Sequence, residues 1–316
     1  MEDRNLKTDW VFMGLVCCFI IVMIPLSIVD FEWTLYVHAN QHPFLGEFMK
    51  RTLFDSGKFG ASDPAVFLIL VIAVAYFINK PQKKVSQLGL YRPQLGFVLT
   101  SALITSLGLV HSLKIVVGRA RPDLVLKHNY PYTKWYEFGS QFVADGFFYG
   151  SFPSGHTAGV FMLMSFSYIL IFDPTKSLKF KIAGWIWGGL TLIYTSLMII
   201  GRSMTLDHWL SDSISITLMC WMSIHLLFFY VFKIPQQLEY INRHQAYPAL
   251  SRYWEFKILW RLLILTLCVM CIIIGFRAIW IQRFPYLVLA VIPALVLFYV
   301  LSKNLLNVYI ESMSHF

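Results

Sequence analysis

Three short segments of the chain contain the residue types that nucleophilic and acid–base chemistry on an anion requires. They are residues 114–122, 153–156 and 202–212, which lie far apart in the sequence. Their candidate site residues supply three cations, two imidazoles and one carboxylate, and each segment adjoins an apolar run. Because a charge is costly inside a bilayer, ionisable residues grouped at the ends of membrane helices indicate a functional site. The combination predicts chemistry on a phosphate ester at a membrane surface.

The first segment places two different cations near a helix end. Lys114 and Arg121 are seven residues apart, so a continuous helix would put them on one face, about 10 Å apart along its axis. Pro122 then turns the chain out into a loop. Lysine offers a compact point charge and arginine a planar fork for paired phosphate oxygens. Two snorkelling cations would give the same pattern, so this segment alone does not establish a site.

The second segment opens a predicted helix. Pro153 fits the entry to that helix, Ser154 can cap it, and Gly155 lets the backbone approach a ligand closely. The free N–H groups of the first turn would then face an anion, with His156 beside it. An ordinary capped helix start with an incidental histidine is the alternative interpretation.

The third segment is the most specific of the three. His208 and Asp212 are four residues apart, which makes them neighbours on one face of a helix. A carboxylate that is hydrogen-bonded to one ring nitrogen fixes the tautomer and leaves the other nitrogen as an oriented nucleophile or base. Arg202 precedes this pair at the end of another apolar run and can reach the same phosphate.

The three segments together resemble the signature of the type 2 phosphatidic acid phosphatase superfamily, in its membrane branch. That signature reads K-x6-R-P, then P-S-G-H, then S-R-x5-H-x3-D, in this order. The first two motifs match in full, and the third matches except that Gly201 stands in place of its opening serine. The resemblance covers roughly residues 95 to 232.

The resemblance implies a role for each matched residue. His208 would be the nucleophile that forms a phosphohistidine, oriented by Asp212, and His156 would protonate the leaving oxygen and then activate water. The remaining motif residues would hold the phosphoryl oxygens and stabilise charge in the transition state: Lys114, Arg121, Ser154, Gly155 and Arg202. The family needs neither a metal nor another cofactor, and Gly201 would remove one hydroxyl from the pattern.

The composition sets these segments in a membrane protein. Of the chain's 316 residues, 57% are hydrophobic and only 14% are charged, whereas soluble domains carry about a quarter charged residues. The formal net charge of +9 fits a protein that faces anionic lipid head groups. Nucleic acid is not an expected partner, because no soluble domain remains to bind it.

Eight apolar runs are long enough to predict membrane helices. They are, by number, 10–29, 63–79, 95–117, 155–172, 182–200, 207–232, 258–280 and 285–302. We therefore expect an all-α, polytopic membrane helix bundle, with a six-helix phosphatase core (residues 1–240) followed by a linker and two additional C-terminal transmembrane helices (residues 241–316).

The distribution of Lys and Arg among the connections places the N-terminus inside. In this topology, the end of the third helix, the start of the fourth and the turn between the fifth and sixth lie on the outer face, so the three segments meet there. We expect a multi-pass protein of a bacterial-type inner membrane, with its active site on the periplasmic side.

Three functions remain open from the sequence. The first is hydrolysis of a lipid phosphate monoester or pyrophosphate, of the phosphatidylglycerophosphate, undecaprenyl pyrophosphate or lipid A phosphate type. The second is transfer of the phosphoryl group to an acceptor lipid, and the third is a non-catalytic lipid-binding or transport role. A weaker pattern, His38-x3-His42 with Glu47 nearby, could bind a metal if helical but lacks a third convincing ligand.

Overall fold

The computed structural model describes residues 2–53, 57–79, 89–141, 150–244 and 254–313, and within these ranges the chain forms helices, turns and loops without a strand. The helices in chain order are α1 (Glu2–Ala39), α2 (Pro43–Lys50), α3 (Asp63–Ile78), α4 (Arg92–Leu103), α5 (Ser112–Val117), α6 (Pro122–His128), α7 (Gly155–Phe161), α8 (Met164–Phe172), α9 (Leu178–Met204), α10 (Leu210–Leu226), α11 (Ile234–His244), α12 (Trp254–Trp280) and α13 (Val291–Met313). A π-helical segment, Ile104–His111, joins α4 to α5.

Seven helical stretches in the described ranges are long and apolar enough to cross a membrane. They are Thr8–Ala39, Arg92–His128, Gly155–Phe172, Leu178–Met204, Leu210–His244, Trp254–Trp280 and Pro285–Asn307. Each overlaps one of the predicted runs. The remaining predicted run forms α3, which has 16 residues and reaches about 24 Å, less than the ~30 Å hydrocarbon core. The all-α, polytopic helix bundle is confirmed, with seven rather than eight helices of full spanning length in the described ranges.

The main buried cluster lies between α4, α7, α8 and α10. Phe97, Phe161, Ile216 and Phe228 are completely buried in it, and Ile258 of α12 joins them from the C-terminal region. Many large apolar side chains on the outward faces of α1, α9 and α13 are exposed, as expected where lipid replaces water as the solvent. The cluster fixes α7 and α10, the two helices whose first turns adjoin the predicted site.

The two C-terminal helices pack against the rest of the bundle. α12 lies along α13 on one side and along α4, the π-helical segment and α5 on the other. Near its first turn, Glu255 accepts a 3.0 Å hydrogen bond from the Tyr76 hydroxyl of α3. Residues 245–253 of the predicted linker lie outside the described residues, and a domain boundary near residue 240 stays a prediction.

Candidate active site

An open cavity of about 500 Å³ lies where the three sequence segments meet. The residues that line it are all charged or ionisable: Glu47, Lys50, Arg51, Lys58, Arg121, His156, Arg202 and Asp207. Arg121, His156 and Arg202 come from the first, second and third segments respectively. The structure therefore brings together residues from all three segments, which lie far apart in the chain.

His208 lies in the turn that joins α9 to α10. This turn folds back on the end of α9, because the carbonyl oxygen of Arg202 accepts hydrogen bonds from the backbone N–H groups of Asp207 (3.1 Å) and His208 (3.4 Å). Leu206 adopts a left-handed backbone, with φ of 58°, which reverses the chain direction. The motif spacing between Arg202 and His208 is thus the length of one closed turn.

The tautomer of His208 is set by a backbone carbonyl. Its Nδ1 lies 2.7 Å from the carbonyl oxygen of Ser151, and a carbonyl can only accept, so Nδ1 carries the proton. Nε2 then keeps its lone pair and can act as a nucleophile or base. This arrangement differs from the predicted hydrogen bond between His208 and Asp212, whose Oδ2 is 3.7 Å from Nδ1.

Asp212 is the third residue of α10, and its side chain accepts a hydrogen bond from the backbone of the N-cap residue, Trp209. The helix begins at Leu210, so His208 stands before it and the two residues do not share a helix face as the four-residue spacing predicted. The Asp212 carboxylate accepts a 2.9 Å hydrogen bond from the backbone N–H of Trp209 and another from the hydroxyl of Ser151. It therefore holds the residue whose carbonyl orients His208.

Two further charged residues, Arg119 and Asp30, complete this buried network. Arg119 donates from Nη1 to Asp212 (2.7 Å) and from Nη2 to Asp30 of α1 (2.8 Å), and all three side chains are at most 1% exposed. Neither residue is among the site residues predicted from the sequence. The available signal was an acidic residue directly after the first apolar run and an arginine inside the first motif, both in membrane segments where an ion pair is the expected compensation.

The cations of the first and third segments surround His208. Burial is the largest reason that the pKa of the His208 imidazole lies well below its ordinary value. Nearby cations lower that pKa further, and they are Arg202, Lys114 and Arg121. The ring is therefore held neutral, which is the form that can attack.

Asp207 stands between two of these cations. Its carboxylate is 3.7 Å from Arg121 and 3.5 Å from Arg202. Although burial raises it, the pKa of this carboxyl is lowered overall, first by Arg202 and then by the hydroxyl of Thr205. The ionised Asp207 links the first and third segments at the wall of the cavity.

The first segment contains a helix break that the sequence analysis did not place. α5 ends at Val117, Gly118 takes a left-handed conformation with φ of 60°, and Pro122 begins α6. Lys114 and Arg121 therefore do not share one continuous helix, and Pro122 starts a short helix rather than a loop. The break instead turns Arg119 and Arg121 toward different partners, Asp212 and Asp207.

The second segment holds His156 at the cavity. α7 begins at Gly155, directly after Ser154, and the backbone N–H of Ser154 donates to the carbonyl of Asp212 (3.2 Å). The Ser154 hydroxyl makes no cap hydrogen bond and instead accepts from Thr157 (2.9 Å). Nε2 of His156 has no hydrogen-bond partner within the part of the chain that the structure describes, which leaves it available to a substrate.

Residues 94–236 match the family model of the PAP2 superfamily. These residues form a PAP2 superfamily domain. The match includes all three segments and confirms the family predicted from their motifs. A search of curated proteins and a search of solved structures gave no match to the chain.

Gly201, the departure from the third motif, lies inside the matched residues and makes a tight contact with α2. A side chain there would place its Cβ 2.5 Å from both Cβ and Cγ of Met49 in α2. At that distance the atoms overlap, so α2 or α9 would have to move. α2 packs against the end of α9, and Gly46 of α2 lies against Thr205 and Met204 in the same contact. The missing serine thus coincides with a close approach of α2, which the family match does not include.

That approach brings additional charges to the site. Glu47, Lys50 and Arg51 of the α2 region line the cavity together with Lys58, and Glu47 pairs with Arg51 at 3.0 Å. None of these cations is among the site residues predicted from the sequence. The residues of the weaker metal pattern have other partners: His38 contacts the carbonyl of Met204 (2.7 Å) and His42 caps α2.

Proposed function

We propose that this protein is an integral membrane lipid phosphatase that hydrolyses a lipid phosphate monoester or pyrophosphate through a phosphohistidine intermediate on His208. The observation that carries the proposal is the state of the His208 ring. Its Nδ1 proton is committed to the Ser151 carbonyl at 2.7 Å, while Nε2 keeps its lone pair. A neutral imidazole among three cations is suited to attack on a phosphoryl group.

The reaction would proceed in two balanced steps. Nε2 of His208 attacks phosphorus, the bond from phosphorus to the leaving oxygen breaks, and His156, protonated beside the bound anionic phosphate group, gives its proton to that oxygen. A water molecule then attacks the phosphohistidine and gives a proton to the now neutral His156. The phosphorus–nitrogen bond breaks, inorganic phosphate leaves, and both histidines return to their starting states.

The cations supply the electrostatic part of catalysis. Lys114, Arg121 and Arg202 would bind the phosphoryl oxygens and stabilise the charge that these oxygens carry in the transition state. Ser154 and Gly155, at the start of α7, would also bind the phosphoryl oxygens. Asp212 and Arg119 would act as positioning residues, because they hold Ser151 and the α10 turn rather than the substrate.

The charged cavity and the apolar bundle support a substrate with an anionic head group and a lipid tail. We place the site on the periplasmic face of a bacterial-type inner membrane, following the distribution of Lys and Arg. Residues 1–240 would form the phosphatase core, and residues 241–316 the linker and the two additional helices.

Phosphate release by the purified full-length protein in detergent tests the proposal. The substrates are phosphatidic acid, phosphatidylglycerophosphate, undecaprenyl pyrophosphate and lipid A, each assayed with EDTA and beside His208→Ala. We expect release that resists EDTA and is abolished in His208→Ala. His244→Ala, at an exposed histidine in α11, is the matched control and should keep full activity.

The same assay separates the alternatives. Activity that persists in His208→Ala would overturn the phosphohistidine mechanism. Labelled phosphate that appears in a second lipid instead of in solution would establish a phosphotransferase. Absence of both release and transfer from every substrate, with a folded protein, would favour a non-catalytic lipid-binding role.

A further inference from the structure

Arg277, near the end of α12, binds three backbone carbonyls of the loops beside the site. Its Nη1 donates to the carbonyl of Val116 (2.7 Å), and its Nη2 donates to those of Gly139 and Gln141 (2.8 Å for Gln141). The side chain is buried, with the residue 5% exposed, and its guanidinium lies 5.2 Å from the centre of the Phe138 ring. An arginine that is both buried and multiply bonded at a membrane helix end indicates a specific role.

The three carbonyls belong to two chain segments, the end of α5 and residues 139–141, which are hydrogen-bonded to each other. The N–H of Gly139 donates to Val117 (2.8 Å), and the N–H of Gln141 donates to Gly118 (3.0 Å). The contact is close enough that a Cβ on Gly118 would lie 2.0 Å from the Gln141 carbonyl oxygen. Arg277 therefore closes a compact unit made of the end of α5 and residues 139–141.

This unit leads directly into the buried network under His208. Arg119 follows Gly118 in the chain and donates to the carboxylate of Asp212 at 2.7 Å. The Arg119 carbonyl in turn accepts a 2.8 Å hydrogen bond from the backbone N–H of Ser151. The Ser151 carbonyl orients His208. Hydrogen bonds and the short backbone stretch from Val116 to Arg119 therefore join Arg277 to the nucleophile.

The hydrogen bond from Arg277 to Val116 also satisfies a backbone carbonyl at the C-terminus of α5. The carbonyl of Val116 is one of the last carbonyls of α5, which have no partner within their own helix. A cation at a helix C-terminus is favourable because it faces the negative end of the helix dipole. α5 carries Lys114, so Arg277 stabilises the end of a helix that supplies a phosphate-binding residue.

We propose that Arg277 is a positioning residue for the catalytic site, and that α12 is therefore part of the framework of the site although it lies outside the PAP2 domain. The role assigned to Arg277 rests on the proposed function. The Arg277 side chain positions the Gly118 turn, and through Arg119 and Ser151 it positions His208. The additional C-terminal region is thus required for turnover, not only for anchoring in the membrane.

Kinetics of Arg277→Met in the full-length protein test this role. Methionine keeps a long, unbranched side chain but removes every hydrogen-bond donor, so the Gly118 turn can shift. A displacement of about 1 Å can cost about 100-fold in rate. We expect kcat to fall by about that factor, with KM changed much less. Arg277→Lys, which keeps the charge but not the planar fork, should give an intermediate kcat.

Arg261→Met is the matched control, because Arg261 lies on the same helix toward its opposite end, is only half-buried, and bonds to the Lys257 carbonyl and to Asn304 rather than to the loops beside the site. It should leave kcat unchanged. Equal losses of kcat in both variants, or a loss in Arg277→Met that only reflects less folded protein in circular dichroism, would overturn the proposal.

Hydrogen exchange provides a readout that does not depend on catalysis. In Arg277→Met we expect faster exchange at the amides of Gly139 and Gln141, which pair with Val117 and Gly118, and no change in Arg261→Met. Unchanged exchange would overturn the proposal even if the wild-type protein is active. Faster exchange in Arg277→Met, together with a wild-type protein that releases no phosphate, would refute the proposed function and leave the structural role of Arg277 intact.

Discussion

At the scale of single residues, Asp212 influences His208 through Ser151 and not by a direct hydrogen bond. Its carboxylate accepts hydrogen bonds from Ser151 and Trp209 and pairs with Arg119. The bond that sets the tautomer of His208 comes from a backbone carbonyl, which no substitution of Asp212 removes. The carboxylate therefore contributes mainly to the rigidity of the site.

Asp212→Asn should consequently weaken the fold more than it changes the chemistry of the nucleophile. Loss of the ionic partner leaves Arg119 incompletely compensated, and breaking a buried pair costs about 3–5 kcal/mol. We expect a clearly lower unfolding temperature together with residual phosphate release above that of His208→Ala. A variant with wild-type stability but no activity would indicate that Asp212 contacts His208 directly during turnover.

The lowered pKa of His208 predicts a stability effect at acid pH. The folded protein binds a proton at this ring less readily than the unfolded chain, whose histidine has a pKa of about 6.5. Above that value both states are neutral and the ring has no effect, whereas below it the unfolded state gains the proton and stability falls. Removal of the ring should reduce this loss.

Unfolding temperatures of wild type and His208→Gln, measured between pH 7.5 and pH 5, check this sign. The wild type should lose more stability than the variant as the pH falls below about 6.5. Parallel curves for the two proteins would mean that His208 takes up a proton equally well in both states, contrary to its burial among cations.

At the scale of elements, the contact between α2 and α9 accounts for the one departure from the family motif. Gly201→Ser would restore the motif, but the new Cβ would lie 2.5 Å from Met49. We expect a destabilisation of about 1–3 kcal/mol, typical of overpacking, and no gain in phosphate release. Gly189→Ser, on the same helix with open space around it, should have little effect. Increased activity in Gly201→Ser would show instead that the hydroxyl is useful and that α2 can move.

At the scale of the whole molecule, the helices could be predicted from the lengths of the apolar runs. The meeting of the three segments could be predicted from the order of their motifs along those helices. Features that depend on contacts between distant positions could not be predicted in this way. The pairing of Arg119 with Asp30 joins residues 89 positions apart, and that of Arg277 with Val116 joins residues 161 positions apart. The start of α10 at Leu210 was also missed, since the spacing of His208 and Asp212 fits either a helix or a capped turn.

The orientation of the molecule in the membrane can be tested at two lysines. Lys179 lies in the first turn of α9 and Arg202 in its last. Their separation of 23 positions corresponds to about 35 Å of helix, more than the hydrocarbon core. Lys179 is therefore expected on the face opposite to the site. Lys127, exposed near the end of α6, is expected on the same face as Arg121.

Single cysteines at these positions, introduced after replacement of the five native cysteines, can be labelled in intact cells with a membrane-impermeant maleimide. We expect Lys127→Cys to react and Lys179→Cys to react only after the membrane is permeabilised, because the positive-inside bias retains the Lys179 connection in the cytoplasm. The reverse pattern would place the charged cavity on the cytoplasmic face. A lipid phosphate would then have to reach His208 from the inner leaflet, and the substrates made or recycled on the periplasmic side would no longer be candidates.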